Sequence, residues 1–309
     1  MIESLCMLPP AEEQTRPTPT IRSDVTRPSL AVQTRPPRRG LPPTAILPGA
    51  FLGLLAGIFL LAPSRTNVLI LGSDRRPGAT LAARSDTMIL TTFLPLRPYV
   101  GMLSIPRDLW VEIPGYGPNR INAATFLAEA DQPGSGPAVA VETVRSNFGV
   151  DVDNYVWIDF GAFVRFIDAL GGLTVDLPSP MSGYPAGPVR LDGKAALAFV
   201  RDRKGSDDFF RMERGQILVR SLLRAAAHPA TWPRWPVAAL MLAASVQTDV
   251  PPWVWPRLAF ALLRAGATGI DGRVIGRGMV SGFTTAAGAQ VLAPDWPRIN
   301  PLLLEMFGQ

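Results

Sequence analysis

A central mixed β-sheet with helices on both faces, an α/β fold preceded by one transmembrane helix, is what this 309-residue sequence predicts. Three observations carry that expectation. Between residues 67 and 227, short apolar runs of strand length alternate with amphipathic segments of helix length. No charge occurs from Leu41 to Ser64. Residues 1–43 are rich in Pro, Thr and Arg and lack any hydrophobic period, so they read as a disordered basic tail.

Residues 44–63 read as the span, and Gly49 to Ala62 is almost wholly apolar. The uncharged stretch reaches ~36 Å as a helix, against a hydrocarbon core of ~30 Å. Pro48 and Pro63 shorten it, and a buried core helix is the alternative. Arg16, Arg22, Arg27, Arg35, Arg38 and Arg39 precede it, and only Arg65 follows closely. The positive-inside rule then expects a single-pass protein of the cell membrane, its tail cytoplasmic and residues 64–309 outside. A signal peptide fits less well, because the tail is too long for an n-region.

Asn67 to Leu71 is an apolar run closed by Gly72-Ser73-Asp74, a buried strand and the turn that leaves it. Thr87 to Phe93 and Val100 to Ile105 read as the next strands, the latter followed by Pro106-Arg107-Asp108. Pro114 to Pro118 reads as a loop, and Asn119 to Asn122 as the start of a helix over Ala123 to Ala130. A helix over Val139 to Phe148 stops at Gly149, and Asp153 to Ile158 is a strand. Phe160 to Leu170 is an amphipathic helix with Phe163, Val164, Phe166, Ile167 and Leu170 inward, ended by Gly171-Gly172. Leu173 to Leu177 is a strand, and a short helix capped by Asp192 runs to Phe199. After His228 the chain turns rich in Pro and Trp, with helical patches at Val237 to Val246 and Pro256 to Ala265. The expected domain is thus 64–309, with a motif core at 67–227 and closing elements at 228–309.

Composition removes several kinds of chemistry. The chain has one histidine, His228, and one cysteine, Cys6. A Ser-His-Asp triad, a His-rich zinc site, a Cys-His pair and a disulfide framework are all disfavoured. Neither a P-loop nor a G-x-G-x-x-G fingerprint occurs. The formal net charge of +5 suits an anionic partner, whether nucleic acid, membrane or phosphate. No helix-turn-helix or other nucleic-acid module is visible, so nucleic acid is not an expected partner.

Val200 to Gln216 concentrates Arg201, Arg203, Lys204, Arg211 and Arg214 among Asp202, Asp207, Asp208 and Glu213. Read as an extended piece, Val200 to Arg203 places Arg201 and Arg203 on one face. A helix starting at Asp207-Asp208 and running to Ala227 places Arg211 and Arg214 three residues apart on one face. Two cations ~4 Å apart repel by roughly 4 kcal/mol at an effective dielectric of ~20. Convergence of the two pairs therefore demands an anion or interleaved carboxylates. The stretch fits a phosphate site at a helix N-terminus and, equally, a solvated charged helix face.

Ligands of open α/β sheets gather at the carboxyl ends of strands. Asp74, the pair Arg84 and Asp86, the pair Arg107 and Asp108, and Arg201 with Arg203 all fall at strand ends in this reading. A single strand-end Asp is commonly a turn residue or a helix cap. Together, Asp74 and Asp86 are hard oxygen ligands suited to Mg²⁺, and the arginines are forks for phosphate oxygens. Such a set describes a diphosphate site.

Seven segments then occur in order: N-V-L-I-L-G-S-D, A-R-S-D-T-M-I-L, L-S-I-P-R-D, N-R-I-N-A-A, D-A-L-G-G-L-T-V, A-L-A-F-V-R-D-R and D-F-F-R-M-E-R-G-Q. In this order they resemble the LytR–CpsA–Psr family over residues 67–227. The resemblance implies a membrane-anchored, extracytoplasmic, Mg²⁺-dependent phosphotransferase. Its donor would be a polyprenyl-diphosphate-linked glycopolymer and its acceptor a peptidoglycan sugar hydroxyl. A polyprenyl-diphosphate hydrolase, or a non-catalytic polyprenyl-phosphate binding or regulatory protein, is the alternative. The resemblance implies Asp74 and Asp86 as Mg²⁺ ligands. Arg84, Arg107, Arg201, Arg203 and Arg211 would bind the diphosphate, with Arg120, Arg214 and Gln216 beside them. A lipid tunnel lined by Phe160, Phe163, Phe166 and Trp157 is also implied. One departure stands out: where the family commonly reads Arg-Gln-Gln, this chain reads Arg214-Gly215-Gln216. Gln216 would replace the missing contact only after a shift of ~100° around the helix.

Overall fold

The computed structural model describes residues 43–61, 65–73, 85–202, 208–243, 246–266 and 268–308. Everything below, Pro43–Pro48 excepted, belongs to the compact unit Gly49–Gln309. Apart from Pro43, the expected tail lies outside the described residues. In chain order the elements are α1 (Pro43–Leu61), β1 (Thr66–Ser73), β2 (Ser85–Leu94), β3 (Tyr99–Ser104), β4 (Trp110–Ile113), β5 (Gly117–Arg120), α2 (Ala123–Asp131) and α3 (Gly136–Phe148). There follow β6 (Asn154–Asp159), α4 (Phe160–Ala169), β7 (Leu173–Leu177), β8 (Gly187–Leu191), α5 (Gly193–Arg201), α6 (Asp208–Ala227) and α7 (Trp235–Ala243). The chain closes with β9 (Val246–Thr248), α8 (Trp255–Ala265), β10 (Ile270–Val274), β11 (Val280–Thr284), β12 (Gln290–Pro294) and α9 (Trp296–Phe307).

The central sheet has the order β10-β3-β2-β1-β6-β9. β1 pairs parallel with β6 and β10 parallel with β3, while β2 and β9 run antiparallel to their neighbours. The sheet is therefore mixed, as expected. Strand side chains alternate between faces, and the core follows that alternation. Leu69, Leu71, Leu90, Leu103 and Trp157 pack on one face with α2, α3 and α9. Val68, Ile89, Val100, Met102 and Ile270 pack on the other with α8. A third cluster joins α4, α5, α6 and α7 to the β7–β8 hairpin through Phe166, Ile167, Phe199 and Leu218. Each fully buried Leu contributes roughly 1.5–3 kcal/mol, so helices are held on both faces.

Caps set where the helices begin and end. Asp159 accepts from the Ala162 amide at 2.6 Å and Asp192 from the Ala195 amide at 2.7 Å, each satisfying an orphan donor of the first turn. Gly149 ends α3 at φ 62°, a left-handed conformation that glycine adopts without penalty. At Gly193 the backbones of α4 and α5 approach so closely that a Cβ would lie 2.3 Å from the Val164 carbonyl oxygen.

Several expectations need correction. Arg201 is the last residue of α5 and not part of an extended piece. Asn119 and Arg120 belong to the β4–β5 hairpin, not to a helix start. The patch expected at Val237 to Val246 ends earlier, and Val246 opens β9. Trp157 packs in the cluster of α2, α3 and α9, whereas Phe166 packs in the third cluster, and Trp157 donates its indole N–H to Ser73 Oγ at 2.8 Å. α1 occupies most of the expected span, and its side chains from Phe51 to Phe59 are largely exposed. Among the described residues, no helix is long and apolar enough to cross a membrane; residues 62–64 lie outside them.

Candidate active site

The four parallel strands β1, β3, β6 and β10 end on one side of the sheet, where β2 begins. Asp86 is the second residue of β2. Arg107 and Asp108 follow β3 in a turn closed by the Leu109 amide on the Pro106 carbonyl. The β4–β5 hairpin is tied back there by Asn122 N–H on the Arg107 carbonyl at 3.3 Å. Arg211 comes from the first turn of α6. Backbone from four separate parts of the chain thus fixes these side chains at one strand end.

An ion-pair chain links them. Arg107 donates Nη1–H to Asp86 Oδ1 at 3.1 Å and sets Nε 3.4 Å from Asp108 Oδ2. Arg120 Nε lies 3.3 Å from Asp108 Oδ1, and its Nη2 donates to the Gln290 carbonyl at 2.9 Å. Arg211 Nη2 donates to the Asp86 carbonyl at 3.3 Å. Asp86, Arg107 and Arg211 line a niche of about 10 Å³ with Ser104, Met212 and Gly215, room for a single water-sized group. An added Cβ at Gly215 meets nothing within 4 Å.

Arg201 and Arg214 do not join that niche. They line a neighbouring cleft of about 890 Å³ with Asp202, Tyr184 and Phe199. The Arg201 guanidinium stands 5.1 Å over the Phe160 ring, and the 5%-exposed Arg214 donates to the Asp202 carbonyl. The expectation that Arg211 and Arg214 act from one face fails because Arg211 reaches the sheet end, whereas Arg214 is turned toward α5. Gln216 is corrected too. Its amide nitrogen donates to Ser104 Oγ at 2.8 Å and to the Arg273 carbonyl at 3.0 Å, with the Met102 carbonyl a weaker shared acceptor at 3.3 Å, so it pins α6 to β3 and β10. Asp74, Arg84 and Arg203 lie outside the described residues.

For a cation, Asp86 offers one suitable atom. Its Oδ1 is taken by Arg107, while Oδ2 accepts no hydrogen bond among the described residues, and the side chain is 32% exposed. A half-solvated carboxylate oxygen is a hard ligand of the kind Mg²⁺ takes together with water and phosphate. No cluster of three or more His, Cys, Asp or Glu that would hold a metal occurs among the described residues.

Sequence reasoning missed the Phe160 stack, the Asp202 carbonyl and the pinning role of Gln216. Each depends on the packing of α4, α5 and α6, which no local periodicity reveals. The open space beside Gly215 had a signal, a glycine inside a helical pattern.

Comparison with known proteins gives the site a context. A transferase named polyisoprenyl-teichoic acid–peptidoglycan teichoic acid transferase TagU, from Oceanobacillus iheyensis, is 36% identical over 190 residues, 60% of this chain and 58% of that protein. Regulatory protein MsrR of Staphylococcus aureus is 29% identical over 195 residues, 60% of this chain and 57% of that protein. The chain therefore matches less than two thirds of the length of these relatives. The crystal structure of B. subtilis TagV superposes with a TM-score of 0.64 at 25% identity, covering 79% of this chain and 98% of that one. The LytR_cpsA_psr family model matches residues 61–266, more than half of the sequence, and the chain belongs to that family.

Proposed function

We propose that this protein is a phosphotransferase that moves a glycopolymer from a polyprenyl-diphosphate carrier onto a peptidoglycan sugar hydroxyl. The observation that carries the reading is the meeting of Arg107 and Arg211 with Asp86 at the carboxyl ends of the parallel strands. Family membership and the name borne by TagU support the same reading.

The acceptor hydroxyl oxygen attacks the phosphorus that bears the glycopolymer. The bond from that phosphorus to the bridging oxygen breaks, and polyprenyl phosphate departs with the electron pair. The hydroxyl proton passes to solvent, leaving a new phosphodiester. Charge grows on the phosphoryl oxygens and on the bridge. Guanidinium groups fixed beforehand stabilise that charge without reorganising. In this reading Arg107 and Arg211 hold phosphoryl oxygens, Asp86 aims Arg107, and Asp108 aims Arg120. Arg201 and Arg214, in the adjoining cleft, take the remainder of the diphosphate and its first sugar. Mg²⁺ bound by Asp86, with Asp74 as its second carboxylate, would lend further positive charge to the bridge. Arg84 and Arg203 belong to the same set.

The anchor reading rests on α1. Its apolar side chains Phe51, Leu52, Leu54, Leu55, Ile58 and Phe59 are exposed, a pattern suited to lipid, and the arginine bias supports the reading that residues 64–309 face away from the cytoplasm. The test is reconstitution of the full chain with a lipid-linked polymer and peptidoglycan. Covalent linkage with stoichiometric polyprenyl phosphate, dependent on both substrates and on Mg²⁺, is expected. Release of polyprenyl phosphate without linkage would make the protein a hydrolase. A cytoplasmic signal from a topology reporter fused after Gln309 would remove the wall-polymer reading.

A further inference from the structure

A third depression borders the first turns of α6. It is a groove of about 410 Å³ lined by Phe209, Phe210, Glu213, Val274, Gly276 and Arg277. It shares α6 with the Asp86 niche: Arg211, Met212 and Gly215 serve the niche, while Phe209, Phe210 and Glu213 serve the groove. The two also share a sheet end, since Ser104 of the niche pairs with Val274 of the groove across β3 and β10.

The groove is an aromatic and charged surface, not a piece of core. The Arg277 guanidinium stands 5.3 Å from the Phe209 ring centroid and 5.4 Å from that of Phe210. Phe210 is 44% exposed, and Glu213 is exposed with no hydrogen bond or ion pair among the described residues. Two phenyl rings with one guanidinium over both and a carboxylate beside them suit a ligand with apolar C–H faces and a fringe of hydroxyls. A pyranose chain has that chemistry: its C–H face lies on the ring, and its hydroxyls bond Arg277 and Glu213. The rings alone would suit a lipid, but the charged pair at the rim favours the sugar.

We propose that this groove seats the acceptor glycan, holding a peptidoglycan strand so that one of its hydroxyls reaches the phosphorus across α6. The proposal rests on the transferase reading above and adds a second, separate binding site to it.

The test uses the full chain in detergent with lipid-linked polymer and uncrosslinked glycan strands. Phe210→Ala and Arg277→Ala should each raise the KM for strands about tenfold, with the KM for the lipid-linked donor and the melting temperature unchanged. Phe210→Tyr should restore wild-type behaviour. A rise in the donor KM instead, or an unchanged strand KM, would overturn the proposal. Should Phe210→Ala fail to fold, Arg277→Ala, at an exposed position, carries the same test. Calorimetric titration of strands, without donor, separates the two readings. If wild type joins no polymer to strands, the transferase reading fails. If wild type and Arg277→Ala bind strands equally, the groove fails whatever the reaction.

Discussion

At the amino end of β1, Arg65 donates from its two terminal nitrogens to the Met306 carbonyl of α9 at 2.7 Å and to that of Gly308, which caps α9, at 2.9 Å. Beside it, the Asn67 amide donates to Asp153 Oδ2 and its side chain to the Asp151 carbonyl, each at 2.6 Å. At the opposite end of the sheet, Arg107, Asp86, Asp108 and Arg120 touch at 3.1 to 3.4 Å and are all part-exposed. The groups are alike, and their use differs. Short bonds to fixed backbone lock an element, and burial pushes the Arg65 guanidinium below its ordinary pKa without depriving it of partners. Longer, half-solvated ion pairs are worth about 0–1 kcal/mol each, so an incoming anion would displace them at little cost. The lesson is that an arginine shows its role by what it is bonded to, not by its place in a charge-rich stretch.

The sharpest break in that comparison comes from the loose end. Asp86→Asn and Arg107→Ala should each lower turnover roughly 10²–10³-fold, measured by linked polymer formed per minute, with thermal melting almost unmoved. At the locked end the pattern reverses. Arg65→Met should lower the unfolding free energy by about 1.5–3 kcal/mol in urea titration, yet leave turnover per folded molecule unchanged. Gln216→Leu tests whether α6 belongs with the locked parts. It should destabilise by about 1–2 kcal/mol and leave diphosphate affinity alone. Loss of affinity without loss of stability would return Gln216 to the ligand. The smallest change is Gly215→Ala. With nothing within 4 Å of the new Cβ, helix propensity alone should stabilise the chain by about 1 kcal/mol, read as a higher melting temperature.

Much of the fold was legible because its signals are local. The apolar run from Asn67 to Leu71, the period-3.6 stripe of Phe166, Ile167 and Leu170, and the cap at Asp192 all appear where the pattern placed them. The β4–β5 hairpin was missed because Pro118 inside β5 reads as a breaker, and an edge strand tolerates it. β9 and β10 were missed because Val246–Thr248 is too short to show a period and Ile270–Val274 carries Asp271, Gly272 and Arg273. They pair only because the sheet offers them an edge. In the site, Asp86, Arg107 and Arg211 were legible as strand-end and helix-start residues, and the structure brings them together. The division of Arg201 and Arg214 into another cleft was not legible. It depends on α5 running on through Arg201 and on the rotation of α6 fixed by Gln216, both consequences of packing.

The most direct test of the Asp86–Arg107–Arg211 assignment is the affinity of the full chain for geranylgeranyl diphosphate by calorimetry, compared between wild type, Arg107→Ala and Arg65→Met. Loss of one charge-assisted contact should weaken binding by at least about tenfold in Arg107→Ala, while Arg65→Met binds as wild type does. Equal affinity of wild type and Arg107→Ala, with both folded, would contradict it.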